Sequence, residues 1–320
     1  MLQVRCFPES WPLKTAFVIS RGARTTADVV VVEVEDQGGR IGVGECTPYA
    51  RYGESAASVL AEIATVVPAL ASGMDCDALQ AILPAGAARN AIDSALRDLQ
   101  FRKGAQEGVL ADRSGQFLPT VQTLVIDSPE AMAVAAATAV SEGVRVLKLK
   151  LDQEQVLERV RAVSAAAPDS DLVIDANEAW SHRGLPELCA QLADLGVTML
   201  EQPLPADTDD FLETFDHPLP ICADESCHTS ADLPRLAGRY DMVNIKLDKT
   251  GGLTEALLLA DAAETQGFEL MLGCMLCTSR AIRAAWPLGA RARFVDLDGP
   301  TWLAKDVSPL RFEAGKVYWT

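Results

Sequence analysis

Five charged residues recur along the second half of the chain at nearly constant intervals: Lys150, Asp175, Glu201, Asp224 and Lys246, separated by 25, 26, 23 and 22 residues. Each closes a short apolar run, and the interval is about the length of one strand followed by one helix. A repeat of that size places the five side chains at equivalent points, the C-terminal ends of consecutive parallel strands, where barrel enzymes carry their chemistry. A solvated rim tolerates charge, but it does not demand carboxylates on three consecutive strands flanked by amines on both sides. Three converging carboxylates repel one another unless a cation lies between them, and all-oxygen ligation suits a hard divalent ion such as Mg²⁺. Two bases on opposite sides of such an ion can take an α-proton from one face of a bound carboxylate substrate and return a proton to the other. The ion would stabilise the enediolate between the two steps. The product is the epimer.

The stretch "VRVLKLKLD" fits this chemistry. Side chains alternate across a strand, so Val146, Lys148 and Lys150 share one face while Leu147, Leu149 and Leu151 line the other. Burying lysine charge is costly, which argues for a task. Lys150 reads as a base. Lys148 reads as a neighbour whose charge, together with the ion's, lowers the Lys150 pKa and which lies within reach of a substrate carboxylate. Moving a lysine from about 10.4 to near 7 takes roughly 4 kcal/mol, within reach of such effects. In "FVDLDGP" Asp296 and Asp298 share a face in the same way, with Val295 and Leu297 turned toward the helices. Paired carboxylates at that point suit a substrate ammonium.

The elements that must hold these residues fall into two parts. Residues 1 to about 50 read as strands: "TTADVVVVEVEDQGG" is a β-branched run ended by a Gly-Gly turn, and "RIGVGECTPY" is a returning arm. From Ser55 to about Arg102 apolar residues recur at three- and four-residue spacing, as in helices. Together these predict a small α+β domain over residues 1–112. From Phe117 onward eight apolar runs alternate with amphipathic stretches, which predicts a parallel α/β barrel over 113–300. The tail 301–320 reads as a strand pair returning to the small domain.

Composition limits the partners. The 320-residue chain carries a net charge of −17, which disfavours nucleic acid and anionic membranes. Arg5, Glu9 and Lys14 interrupt the N-terminus, so no secretory signal is expected, and no apolar run reaches spanning length; the expected location is the cytoplasm. Of eight cysteines, Cys274 and Cys277 form a CxxC, but no second CxxC or histidine pair accompanies it, so reduced interior thiols are expected. His182, His217 and His228 show no metal spacing.

"KLK" at 148–150, "DANEAW" at 175–180, "LEQP" at 200–203, "ADES" at 223–226 and "NIKLDKTGG" at 244–252 resemble, in order and spacing, the motifs of the enolase superfamily in its muconate-lactonizing subgroup. The likeness covers the whole chain and is strongest to the dipeptide epimerases of bacterial murein-peptide recycling. It implies a modified TIM barrel, (β/α)7β, with an N-terminal α+β capping domain. It further implies one Mg²⁺ per subunit on Asp175, Glu201 and Asp224, and Lys150 and Lys246 as the acid/base pair. Lys150 would serve the D-Glu form and Lys246 the L-Glu form of an L-Ala-Glu dipeptide. The subgroup also contains cycloisomerases, o-succinylbenzoate synthases and N-succinylamino acid racemases; the DxD at Asp296 and Asp298 favours a substrate with a free amine. Arg24, in the loop "ISRGARTTAD", matches the position that holds a distal carboxylate, a bidentate task suited to arginine, with Arg21 as the alternative. Thr123 and Cys274 correspond to substrate-contacting positions. Relatives often carry an acid near Cys277, and this chain departs from them there. Homo-oligomerisation is left open.

Overall fold

The computed structural model describes residues 1–102, 113, 115–307 and 309–320, and its strands form three sheets. The expected domain boundary after residue 112 lies outside the described residues. β1 (Gln3–Ile19), β2 (Gly22–Glu35) and β3 (Ile41–Cys46) make an antiparallel meander. Alternation on β2 sends Val30, Val32 and Val34 to one face, where they pack with Val59, Ile63, Leu79 and Ile92 of three helices. These are α1 (Ala56–Ala71), α2 (Cys76–Ile82) and α3 (Ala87–Arg102), with Ser55 and Asp75 capping the first two. β3 and α3 touch at backbone distance, because a Cβ on Gly44 would stand 2.0 Å from the Ala91 carbonyl oxygen. Only a glycine fits there.

The barrel follows β4 (Phe117–Pro119). Its strands are β5 (Gln122–Leu124), β6 (Val146–Lys150), β7 (Asp171–Asp175), β8 (Val197–Glu201), β9 (Ile221–Ala223), β10 (Met242–Ile245), β11 (Glu269–Gly273) and β12 (Phe294–Asp296). They lie parallel in sequence order, and the Val121 N–H donates to the Val295 carbonyl across the closing seam (2.8 Å). Leu147, Leu149, Ile174, Leu200 and Val243 face outward into the large core under the helices. Val173, Met199, Cys222, Met242, Met271 and Phe294 fill the inside as an apolar floor.

The tail differs from expectation. Its start reaches the small domain, where Leu303 bridges Leu13 and the Ala304 N–H donates to the Pro12 carbonyl (2.8 Å). The strand pair, β13 (Arg311–Glu313) and β14 (Lys316–Tyr318), instead extends β4 in a separate antiparallel sheet. No helix among the described residues is long and apolar enough to cross a membrane.

Buried polar latches fasten the small domain to the barrel. Asp93 accepts from the Leu253 N–H (2.8 Å), Glu45 from the Thr278 N–H (2.7 Å), and Asp248 from the Thr47 N–H (3.0 Å) and Asn90 Nδ2 (2.8 Å). Burial lifts the Asp248 carboxyl from 3.8 to about 7. The folded state therefore keeps a proton that the unfolded chain releases above about 4, so this contribution to stability is complete at low pH and is lost as the pH rises through 7. Asp248→Asn preserves the acceptor without the charge. Relative to wild type it is expected to gain stability between pH 5 and 7 by up to about 1.4 kcal/mol per pH unit, read from denaturant unfolding. A difference that stays flat across that range counts against a protonated Asp248.

Candidate active site

Register brings the charged residues together. Lys150 pairs with Asp175 across β6 and β7, and Asp175 with Glu201 across β7 and β8, while Asp224 and Lys246 follow the last residues of β9 and β10. Each carboxylate stands two residues above a floor residue on the same strand: Asp175 above Val173, Glu201 above Met199, Asp224 above Cys222. The period of two thus turns an apolar plug into a charged ring one layer up.

Every lysine in that ring touches a carboxylate. Lys150 Nζ donates to Asp175 Oδ2 (2.5 Å) and Asn177 Oδ1 (3.2 Å), and Lys246 Nζ donates to Asp224 Oδ2 (2.6 Å). Lys148, only 1% exposed, donates to Asp296 Oδ2 (2.7 Å) and stands 3.1 Å from Asp175 Oδ2 and 2.7 Å from Glu201 Oε2. Its approach to Glu201 lies off the hydrogen-bonding direction, and that buried oxygen accepts no hydrogen bond. Burial and the Asp175 charge push Glu201 up to about 7. Burial also favours the neutral form of Asp175, but Lys150 and Lys148 more than offset it and hold the carboxyl below its ordinary value. For Lys246 burial disfavours the charge, yet Asp224 and Glu201 prevail and keep it a firm cation.

As placed, no three His, Cys, Asp or Glu side chains among the described residues could hold a metal ion, since the lysine ammoniums stand among the acids. The donor chemistry nonetheless fits a hard cation. Three buried carboxylates occupy neighbouring strand ends, one of their oxygens lacks a hydrogen bond, and Lys150 and Lys246 are flexible side chains that can withdraw.

Above the ring lies a cavity of about 290 Å³. Lys148, Lys150, Asp224 and Lys246 line its base, Thr123, Cys274, Asp296 and Asp298 one wall, and Arg24 with Tyr49 the roof. The Thr123 N–H donates to Asp298 Oδ2 (2.8 Å), while burial and the neighbouring Asp296 raise Asp298 to about 6. Arg24 is on β2, paired with Phe17, and not in a loop; the turn consists of Ser20 and Arg21 alone. Arg21 is committed to Glu225 (2.7 Å), Glu178 (3.2 Å) and the Asn177 carbonyl (3.0 Å). Arg24 lies over the Tyr49 ring (5.0 Å), and no carboxylate among the described residues pairs with it. The fold therefore leaves Arg24, rather than Arg21, available to an anionic group in the cavity.

Several residues of the site escape the strand-end pattern. Gln202 accepts from the Asp224 and Ser226 N–H groups (2.9 and 3.1 Å), tying the rim of β8 to that of β9. Asn244 Nδ2 donates to Glu201 Oε1 (2.7 Å). Lys249, fully buried, donates to Asp224 Oδ1 (2.6 Å) and to the Asp224 and Asn244 carbonyls. All three lie within the motifs quoted above, so the signal was their presence there rather than their spacing.

A capped parallel barrel with amines and carboxylates interleaved around its C-terminal rim is the framework of a proton-transfer enzyme. The chain belongs to the enolase superfamily: residues 131–311 match the enolase C-terminal domain-like family, and residues 1–109 match the mandelate racemase / muconate lactonizing enzyme N-terminal domain. It is 59% identical to the L-Ala-D/L-Glu epimerase of Escherichia coli K12, over 99% of this chain and 100% of that one. It is 44% identical to an N-acetyl-D-glutamate racemase of Pseudoalteromonas, over 83% and 84%. Among solved structures, an enolase family member from Agrobacterium tumefaciens with homology to dipeptide epimerases, holding sodium and L-Ala-L-Glu, superposes with a TM-score of 0.95 at 41% identity, over 100% and 98% of the two chains. A dipeptide epimerase from Enterococcus faecalis V583, complexed with Mg and L-Leu-L-Tyr, does so with 0.90 at 31% identity, over 99% and 96%.

Proposed function

We propose that the protein is a Mg²⁺-dependent dipeptide epimerase that interconverts L-Ala-D-Glu and L-Ala-L-Glu by two-base 1,1-proton transfer, in cytoplasmic murein-peptide recycling. The observation that carries this reading is the placement of Lys150 and Lys246 against different members of one carboxylate trio, beneath a cavity with paired aspartates on its wall. Asp175, Glu201 and Asp224 are the residues to hold the ion, which when bound supplies positive charge to the substrate carboxylate and so favours loss of the neighbouring α-proton. Lys150 exchanges a proton with one face of the α-carbon and Lys246 with the other. Lys148, buried between Asp296 and the trio, keeps a cation at the base of the cavity. Asp296 and Asp298 receive the dipeptide ammonium, Thr123 steadies Asp298 through its N–H, Arg24 receives the distal carboxylate of glutamate, and Cys274 shapes the wall. Transfer of solvent deuterium to the Glu α-carbon of L-Ala-D-Glu, followed by NMR, tests the reaction; absence of exchange in the Mg²⁺-loaded enzyme overturns it.

The Pseudoalteromonas relative motivates a second reading, racemisation of an N-acylated glutamate, which has no ammonium for the aspartates to bind. Asp298→Asn separates the two. Loss of a charged partner typically costs about 2 to 5 kcal/mol, so kcat/KM for L-Ala-D-Glu is expected to fall far more than that for N-acetyl-D-glutamate. An equal fall for both substrates favours the second reading.

A further inference from the structure

The thiols of the CxxC carry no proton or ligand in this chemistry, yet both sulfurs lie close to one point at the cavity wall. Cys274 follows β11 directly, is half-buried and lines the cavity. Cys277 is buried behind it, and the neighbouring Cys274 thiol together with burial holds the Cys277 thiol well above its ordinary value. Both sulfurs also press on one point of the next rim turn: a Cβ on Gly299 would stand 3.1 Å from Cys274 Sγ and 3.2 Å from Cys277 Sγ. One thiol of the pair is thus open to a solute in the cavity, and the other waits within its reach. The segment between them is fixed from the small domain, since the Leu276 carbonyl accepts from Thr47 Oγ1 (3.1 Å) and the Thr278 N–H donates to Glu45.

We propose that Cys274 and Cys277 form a reversible disulfide in response to low-molecular-weight disulfides, and that it shuts the substrate cavity. The Cys274 thiolate attacks one sulfur of a disulfide such as oxidised glutathione, forming a mixed disulfide and expelling one glutathione thiolate. The expelled glutathione thiolate takes the Cys277 proton, the Cys277 thiolate so formed attacks Cys274 Sγ, and the second glutathione leaves as a thiolate that is protonated from solvent. The two protein thiols are oxidised to one disulfide, and the oxidant is reduced to two thiols. Drawing the sulfurs to about 2.05 Å requires one side chain to move. With the chain at 276–278 tied to Thr47 and Glu45, that movement falls on Cys274 and the wall beside Asp298.

The test treats wild type and Cys277→Ser with oxidised glutathione, with intact mass, peptide mapping and epimerisation of L-Ala-D-Glu as readouts. Wild type is expected to lose the mass of two hydrogens, to show the bond between Cys274 and Cys277, and to lose most of its activity, all restored by dithiothreitol. The serine variant is expected to retain one glutathione on Cys274. A wild type unchanged in mass, a mixed disulfide on wild-type Cys274 that is never resolved, or a bond mapped to another pair overturns the proposal. So does a 274–277 bond that leaves activity intact. The effect on the cavity rests on the proposed epimerase reading, but the mass and the map do not, so failure of the disulfide and failure of the substrate assignment are told apart. Should the serine variant not fold, the wild-type map decides alone.

Discussion

Lys246→Ala is expected to abolish interconversion of L-Ala-D-Glu and L-Ala-L-Glu while the D-Glu form still exchanges its α-proton for solvent deuterium. Lys150→Ala is expected to do the reverse, keeping exchange in the L-Glu form alone. A positioned general base contributes about 10²- to 10⁴-fold, and inversion needs both bases, so epimerisation by either variant should fall below detection. The reason lies in the barrel: Lys150 ends β6, next to Asp175, and Lys246 follows β10, next to Asp224, so the carboxylate trio separates them. On the proposed reading, each lysine meets one face of the α-carbon. NMR of the two diastereomers in deuterated buffer reads exchange and inversion separately. A single variant that still inverts, or two variants that lose exchange in the same diastereomer, would show that the faces are not divided in this way.

Exhaustive chelation is expected to remove activity and added Mg²⁺ to restore it, and Asp224→Asn is expected to prevent that restoration at ordinary Mg²⁺ concentrations. Losing a single stabilising group at a developing charge typically costs about 10²- to 10³-fold, which sets the minimum for this variant. Asparagine keeps the volume and an acceptor for Lys249 Nζ, so the barrel should remain folded by circular dichroism. Calorimetric titration with Mg²⁺ gives a readout independent of turnover, with strong binding by wild type and weak binding by Asp224→Asn. Activity that survives chelation, or equal Mg²⁺ affinity in both proteins, would sink the assignment of Asp224.

The strand-end charges were legible because two periods coincide in them: the two-residue alternation that sends Lys148, Lys150 and Asp296 inward, and the βα step that brings Asp175, Glu201 and Asp224 side by side, whereas Asp298 lies beyond the end of β12 in a helical turn. Both are properties of backbone geometry and survive in a bare sequence. Lateral ties between neighbouring rim turns are not of that kind. Gln202 reaches the Asp224 and Ser226 amides from a left-handed backbone (φ 37°), and Asn177 meets Lys150 from another (φ 45°), conformations that no spacing rule anticipates. Arg24 stands in "ISRGARTTAD", which reads as a loop between the first strands, whereas the hairpin continues through it to a two-residue turn. The tail reads as a strand pair, but its pairing with β4 is a long-range contact that a strand pattern does not encode.

The apolar floor carries a consequence for traffic. Met199, Met242, Met271 and Phe294 fill the barrel from below, so the cavity does not run through it, and the hairpin tip that Arg21 fastens to Glu225 and Glu178 lines its outer side. On the proposed reading, substrate, product and the water that refreshes a lysine's protons all come and go on the C-terminal side of the barrel. How freely water reaches Lys150 and Lys246 while a substrate is bound would therefore set the fate of isotopes: with free access the abstracted hydrogen washes out into solvent, and with poor access it returns to the substrate on reversal, while the epimer takes its hydrogen from the opposite lysine.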